Sequence, residues 1–495
     1  MPPSALRRAL AMAQLVVLAA LPAACHRQPE GTIKVAVVGE NAQIVDPATG
    51  PLTPGQAVLL SAAAQGLVRF EPRGQIEPGL AERWNVSNDG LSYIFRLAAV
   101  EWPNGRKITA HQIARVLRRE IATNSNNSLK DTLGAVDEIV AMTDRVLEIR
   151  LTAPRPNLLQ LLAQPEFALV FEGQGSGPFR IARRGAPAGY TSLERQVPGP
   201  DGEEGRREDI LLRGATAPAG VRSFVAGDID LFLGASFAEL PLARRVKLPR
   251  GALQFDPVAG LFGLVPARAG GPLADPEVRK LLSQAIDHDG LIAALDVPGL
   301  VGRATILEAG LDGVPDPVTP HWMTVAVADR RPSLIAAANQ LFGNDPRPVL
   351  RIVLPEGPGA QRLFNRLAAD WRVLGIKLQR AAKGEAADLI LIDTVAPSTS
   401  PAWFLRRFRC DLVPICDQQA DALLEAARAA PVADQRGALL VEASRIMDNQ
   451  QLFIPIAAPV RWSLVSNRIL GFAGNRFGRH TLTGLDQKLN REGAQ

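Results

Sequence analysis

Few residues in this sequence could carry chemistry: three cysteines, five histidines, and some short motifs built on glycine, serine and aspartate. Cys25 closes the run Leu21-Pro22-Ala23-Ala24-Cys25. Small residues just before a cysteine resemble a lipobox, in which the cysteine is acylated and becomes the new N-terminus. Pro22 stands where such boxes usually carry an aliphatic residue, and a conventional cleaved signal with an incidental cysteine is the other reading. With Cys25 acylated, Cys410 and Cys416 remain as a pair. In an oxidising compartment two nearby cysteines favour a disulfide over a metal site. His26, His111, His288, His321 and His480 are scattered without helical ligand spacing, and neither H-E-x-x-H nor a zinc ribbon is present. No metal and no cofactor is expected.

The catalytic motifs fail on inspection. Gly173-Gln174-Gly175-Ser176-Gly177 suggests a nucleophile elbow, but Gln174 occupies the first glycine's place. The same stretch fails as a dinucleotide fingerprint because Pro178 replaces the last glycine. Asp287-His288-Asp289 is a charged cluster best explained as the C-terminal turn of a helix. No catalytic residue is assigned and the chain is not expected to be an enzyme; an exported hydrolase is the remote alternative.

The N-terminus places the rest outside the cytoplasm. Arg7 and Arg8 precede an apolar run of 13 residues from Ala9 to Leu21, broken only by Gln14. That is the order of a secretory signal, here residues 1–24, and the run is shorter than the roughly 20 residues a membrane-spanning helix needs. The net charge of +5 includes Arg7 and Arg8, and no stripe of basic residues interleaved with aromatics follows. No nucleic-acid partner is expected.

At 495 residues the chain exceeds one ordinary core, so two or three lobes are expected. Thr32–Val38 reads as a first strand and Pro54–Gly66 as a helix. Asn88-Asp89-Gly90 marks a turn between Trp84–Ser87 and the alternating Leu91–Leu97, hence a hairpin. Thr109 is an N-cap for a helix through Leu117, and Arg145–Leu151 alternates as a strand. Pro276–Asp287 reads as a helix. Leu350–Leu354, Gly359–Leu374, Ile376–Leu378 and Asp388–Ile392 alternate strand, helix, strand, strand, which indicates a separate α/β lobe. Helices are expected over Asp421–Ala430 and Val432–Asp448, and short strands over Phe453–Ile456 and Trp462–Val465.

Several of these segments together resemble the extracellular solute-binding proteins of family 5, the dipeptide, oligopeptide and nickel receptors of ABC importers. The stretch Gly66–Arg119 carries most of the resemblance, through Pro78-Gly79-Leu80-Ala81-Glu82-Arg83-Trp84 and Gly105-Arg106-Lys107-Ile108-Thr109-Ala110. Gly175-Ser176-Gly177-Pro178-Phe179, Ala226-Gly227-Asp228-Ile229-Asp230 and Asp275-Pro276-Glu277-Val278-Arg279 follow in family order.

The resemblance implies an α/β, periplasmic-binding-protein-like fold (type II, cluster C) with two main lobes joined by a hinge and an extra inserted domain. Domain I would comprise 30–58, 174–255 and 465–495, domain II 59–173, and domain III 256–464. The implied function is that of a monomeric solute-binding lipoprotein in the periplasm, held to the membrane through Cys25. It would capture a peptide or peptide-like solute in the interlobe cleft between domains I and III and deliver it to the permease of an ABC importer. An opine, a glycoside or chelated nickel is the alternative ligand. Receptors of this type hold a peptide ammonium with a carboxylate shortly after the strand that here ends at Ile392. That position becomes Pro397 here, with Asp393 four residues earlier as the substitute. Trp403, Phe404 and Arg406 are the other ligand-binding candidates, because an aromatic can cover apolar side chains and an arginine can pair a carboxylate bidentately. Trp371 and Trp462 read as core.

Overall fold

The structure is a computed structural model. It describes residues 31–182, 185–198, 205–382 and 384–487; the signal segment and Cys25 lie outside the described residues. Three principal sheets organise the chain, each with its own reason to form.

The largest has seven strands, with Ile33–Val38 near its centre. This strand runs parallel to Arg206–Ala215 on one side and Leu231–Ser236 on the other. A parallel strand covered on both faces needs a continuous apolar run, which IKVAVV supplies apart from Lys34. Arg461–Val465 returns from near the end of the chain to pair with Leu231–Ser236. The helix Pro54–Ala63 packs by this sheet. Thr53 accepts from the Gln56 amide while Gln56 reaches back to the Thr53 amide, so two orphan donors of the first turn are satisfied. The helix stops three residues before the expected Gly66. Gly66 instead lies where a Cβ would meet the Leu162 carbonyl at 2.6 Å.

The second sheet has four antiparallel strands: Ala81–Val86, Ser92–Leu97, Val146–Leu151 and Val136–Thr143. Its hairpin turns at Gly90 (φ 70°), and the Asp89 carboxylate takes the Leu91 amide at 3.0 Å. Tyr93, Phe95 and Leu97 point inward while Ile94 and Arg96 face water, the period of two seen in the sequence. Ala110–Glu120, capped by Thr109, covers the inner face.

The third sheet has five strands, ordered Lys377–Arg380, Val349–Val353, Leu389–Val395, Gly260–Pro266 and Ile454–Ala457. Helix Pro358–Arg372 connects two of them and buries Trp371, whose indole donates to the Leu282 carbonyl at 3.0 Å. Trp462 is equally buried and donates to the Ser236 carbonyl at 2.7 Å. On the other side, Pro401–Arg406, Gln418–Ala429 and Ala433–Asn449 form a helical layer with its own core. No described helix is long and apolar enough to cross a membrane.

One local expectation is corrected. The helix beginning at Pro276 ends at Ala285, because Ile286 adopts extended backbone (ψ 126°). Asp287 then caps a new helix, His288–Leu295, by accepting the Gly290 amide at 3.0 Å. The Asp287-His288-Asp289 cluster is therefore a helix start, where acidic residues are favoured by the helix dipole, and not a helix end.

Candidate functional site

A cavity of about 200 Å³ lies between the four-stranded unit and the helical layer of the five-stranded unit. One wall is the loop 128–132 together with Arg155, Pro156, Asn157 and Leu161. The other carries Trp403 and Arg406 from Pro401–Arg406, Leu424, Ala427 and Arg428 from Gln418–Ala429, and Arg436, Gly437 and Leu440 from Ala433–Asn449. No residue of the seven-stranded sheet lines it, so it differs from the expected cleft between domains I and III: its lining comes from residues 128–161 and 312–440.

Local chemistry places these walls. Asp417 caps Gln418–Ala429 by accepting the Gln419 and Ala420 amides at 2.9 and 3.0 Å. Gly437 brings the next helix directly onto the loop at Asp312 and Gly313, where any Cβ would collide with the Gly313 carbonyl oxygen. The segment 397–399 closes the back of the cavity. Gln164 donates to the Pro397 carbonyl at 2.7 Å, Thr399 donates its amide to Gln160 at 3.0 Å, and Asn157 donates to the Ser398 hydroxyl at 3.5 Å.

The electrostatics of the cavity are unusual. Five arginines line it (Arg155, Arg406, Arg407, Arg428 and Arg436) against two carboxylates, Asp131 and Asp312. Asp312 is engaged by the Thr399 hydroxyl. The arginines that cross the gap do so to backbone carbonyls. Arg155 donates to the Arg428 carbonyl at 2.9 Å, Arg406 to that of Asp131 at 3.2 Å, Arg428 to that of Gly134 at 2.7 Å, and Arg436 to that of Pro154 at 3.0 Å. Of these four, only Arg428 has a carboxylate within ion-pair range among the described residues, Glu425 at 3.7 Å. Burial pushes the Arg155 guanidinium down to about 10, and Arg436, Arg406 and Arg428 push it further in the same direction. Burial also lowers Arg406, with Arg428 repelling it more strongly than Glu425 attracts it. The cavity is a cationic pocket in which Arg155, Arg406 and Arg436 are partly buried and Arg407 and Arg428 exposed.

The residues singled out from sequence fall into different places. Trp403 and Arg406 line the cavity. Phe404 lies beneath it with 0% exposure, packed edge-to-face on Trp403 at 5.1 Å, in the core of the helical layer rather than on the wall. Asp393 is away from the cavity. It pairs with Arg461 at 2.8 Å, tying the five-stranded sheet to the seven-stranded one. Burial raises its carboxyl above the ordinary range, and Arg461 opposes that. Cys410 and Cys416 are joined in a disulfide, Cα to Cα 5.1 Å, and the loop they close carries the exposed Leu412 to the cavity rim. Cys25 lies outside the described residues. Sequence reasoning missed Arg155, Arg428 and Arg436. The one local hint is that Arg155 sits between Pro154 and Pro156, where the chain is held extended.

Comparison with known proteins bears on this arrangement. The family model described as bacterial extracellular solute-binding proteins, family 5 Middle, matches residues 75–407. A probable di/tripeptide-binding protein 5 of Pseudomonas aeruginosa is 26% identical over 484 residues, covering 83% of this chain and 88% of that protein. Among solved structures, OppA of Haemophilus influenzae in complex with RPPGFSPFR superposes with a TM-score of 0.76 at 16% identity, covering 92% of this chain and 99% of that one. The murein tripeptide binding protein MppA of Escherichia coli gives 0.76 at 19% identity, covering 93% and 99%. These structural likenesses establish the periplasmic-binding-protein fold.

Proposed function

The chain belongs to the bacterial extracellular solute-binding proteins of family 5, and on that premise we propose that it is the capture component of an ABC importer, taking a short peptide or peptide-like solute and handing it to the membrane permease. The observation that carries this is the cavity between two separately folded units, walled by Trp403 and by arginines from both sides. Such a site surrounds a hydrophilic solute, excludes water and meets its polar groups with fixed partners. At about 200 Å³ the cavity is smaller than the roughly 300–1,000 Å³ of drug-sized sites, so a ligand of one or two residues suits this arrangement. Relatives named for di- and tripeptides agree in size.

The lobes we propose are 30–58, 174–255 and 461–495 for the first, 59–173 for the second and 256–460 for the third. The strand Arg461–Val465 is reassigned to the first, because it pairs within the seven-stranded sheet. Capture would proceed by hinge closure of the lobes. The protein is proposed to work as a monomer in the periplasm, anchored through an acylated Cys25. Family members are binding proteins, and no catalytic role is assigned to any residue.

A thermal-shift screen over di- to pentapeptides tests the ligand class. A peptide selective for the folded state stabilises it by about 2.7 kcal/mol at a hundredfold excess over its dissociation constant. If no peptide moves the transition while a sugar or a metal chelate does, the peptide assignment fails and the receptor class remains. Detergent partition of the mature protein, and its loss in Cys25→Ala, tests the anchor.

A further inference from the structure

Resting on the receptor reading above, we propose that the captured solute is acidic: a molecule of about dipeptide size carrying paired carboxylates, bound by Arg155, Arg406, Arg428 and Arg436. The first ground is the charge of the cavity. When Glu425 is counted beside Arg428 together with Asp131 and Asp312, the lining still holds two more cations than anions. A neutral dipeptide is a zwitterion with no net charge and leaves that excess in place. A dipeptide of two acidic residues carries a net charge of −2 and cancels it.

The second ground is how the arginines are held. A desolvated cation needs a counter-charge, since burial without one costs several kcal/mol. Elsewhere in this chain that need is met either by a carboxylate or by carbonyls that take up the whole guanidinium, as at Arg279, 2% exposed, whose Nε and both terminal nitrogens donate to the carbonyls of Leu273, Ala274, Gln450 and Gln451. Arg461 has Asp393 at 2.8 Å, Arg479 has Glu166 at 2.6 Å and Arg303 has Glu308 at 2.8 Å. Around the cavity Arg155, Arg406 and Arg436 have backbone carbonyls instead. Carbonyls orient a guanidinium without neutralising it. Each guanidinium carries five N–H donors in a planar fork, and those described here use one or two on the protein. The remaining edges match carboxylates bidentately.

The third ground is that the four come from both walls. Arg155 belongs to the four-stranded unit, and Arg406, Arg428 and Arg436 to the helical layer. Their mutual repulsion works against the four hydrogen bonds that bridge the walls, and an anion placed among them relieves it, so an acidic solute would hold the two units together more tightly. Asp131, on the same wall as Arg155, is the acidic group left to meet the solute's ammonium. That role replaces the carboxylate missing at Pro397.

Titration calorimetry on the full mature protein tests this with four probes: Glu-Glu, Ala-Ala, Lys-Lys and glutarate. Glu-Glu is expected to bind about tenfold or more tightly than Ala-Ala, with an affinity that falls as salt rises, and Lys-Lys is expected not to bind. Glutarate binding as well as Glu-Glu would keep the paired-carboxylate chemistry and assign it to a non-peptide solute. Arg155→Gln should weaken Glu-Glu about tenfold or more while the melting temperature of the ligand-free protein holds or rises, because one of four repelling charges is gone. Arg436→Gln should do the same, and it serves if Arg155→Gln misfolds. A merely structural clamp would give the opposite pattern, a lower melting temperature and an unchanged Glu-Glu to Ala-Ala ratio. Ala-Ala or Lys-Lys matching Glu-Glu would overturn the inference and leave the receptor reading intact. Silence from all four probes would overturn it as well. Native mass spectrometry of freshly purified protein then judges the receptor reading separately, which stands if a peptide is retained and falls if no solute is.

Discussion

Arg461 and the cavity arginines are the same side chain in two settings. At the junction of the five- and seven-stranded sheets, Arg461 meets the Asp393 carboxylate at 2.8 Å and the Asp393 carbonyl at 3.1 Å, with the two side chains only 21% and 16% exposed. Charge there is matched within the protein, and the pair is a strut. Around the cavity three arginines have no carboxylate in reach and rest on carbonyls. Arg279 shows a third setting, buried with no carboxylate in ion-pair range among the described residues but with its guanidinium taken up by four backbone carbonyls. The contrast teaches that neither burial nor a missing carboxylate alone marks a site; a cluster of arginines that leave most of their donors free around one cavity does.

The helix Pro401–Arg406 repeats the contrast in apolar form, and the largest expected effect lies there. Phe404 is fully buried and packs against the helical core, whereas Trp403 lines the cavity. Phe404→Ala should cost about 3–5 kcal/mol, the toll of a large cavity in a packed core, read as a fall in the urea midpoint. Trp403→Ala should cost much less stability and more affinity. Equal destabilisation by the two would erase the distinction between floor and wall.

Next comes the strut. Asp393→Ala leaves Arg461 buried without its counter-charge and should cost about 3 kcal/mol. Replacing both partners with apolar residues should recover most of that loss, since breaking a buried pair is worse than removing it. Set beside Arg155→Gln, which is expected not to destabilise, this sharpens the comparison: an arginine with a partner matters to the fold, and one without matters to the ligand. The disulfide ranks third. Removing Cys410 and Cys416 together should cost about 2 kcal/mol by loop-closure entropy, and by freeing the loop that carries Leu412 it should also loosen the cavity rim. If the Cys410→Ser, Cys416→Ser double variant melts at the same temperature as the oxidised unaltered protein, the expectation fails.

What could be foreseen from the residues follows the range of the interaction. Thr109 with Gln112, the Asn88-Asp89-Gly90 turn and the alternation of Arg145–Leu151 act within a few positions, so the chain spells them out locally. The split at Ile286 hid because Asp287-His288-Asp289 fits either end of a helix until the Gly290 amide is seen to point at Asp287. Asp393 reads from sequence as a strand-end acid free to meet a ligand. Its partner Arg461 is 68 positions away and joins only when two sheets meet. Arg155 and Arg428 are 273 positions apart. Each is one arginine in an arginine-rich chain, and the excess of charge exists only once the two walls face each other.

The smallest expected effect concerns acids whose burial outweighs every partner they have. Asp448, near the C-terminal end of the wall helix Ala433–Asn449, accepts the Ile306 amide at 3.0 Å and the Ser444 hydroxyl at 3.1 Å. These favour its ionised form, but burial outweighs them and raises its carboxyl from the ordinary 3.8 to about 7. Burial likewise raises Glu120 to about 7, against the Asn127 amide, and Asp370 to about 6. In the unfolded chain all three titrate near 4, so between pH 4 and pH 7 the folded protein holds protons that the unfolded chain has released. Stability contributed by these groups therefore rises as pH falls from about 7 towards 4 and is lost as pH rises through the folded values, with a slope of at most about 1.4 kcal/mol per pH unit per group. The window lies well below the titration of Arg155, so the cationic cavity does not change across it. Urea melts at pH 5, 6.5 and 8 should show the protein weakest at pH 8. Asp448→Asn keeps an acceptor for the Ile306 amide and removes the titration. It should be more stable than the unaltered protein at pH 8, with the advantage shrinking to nothing by pH 5. A constant loss at all three values would mean that Asp448 is wanted as a carboxylate, and that its hydrogen bonds, not its burial, decide its charge.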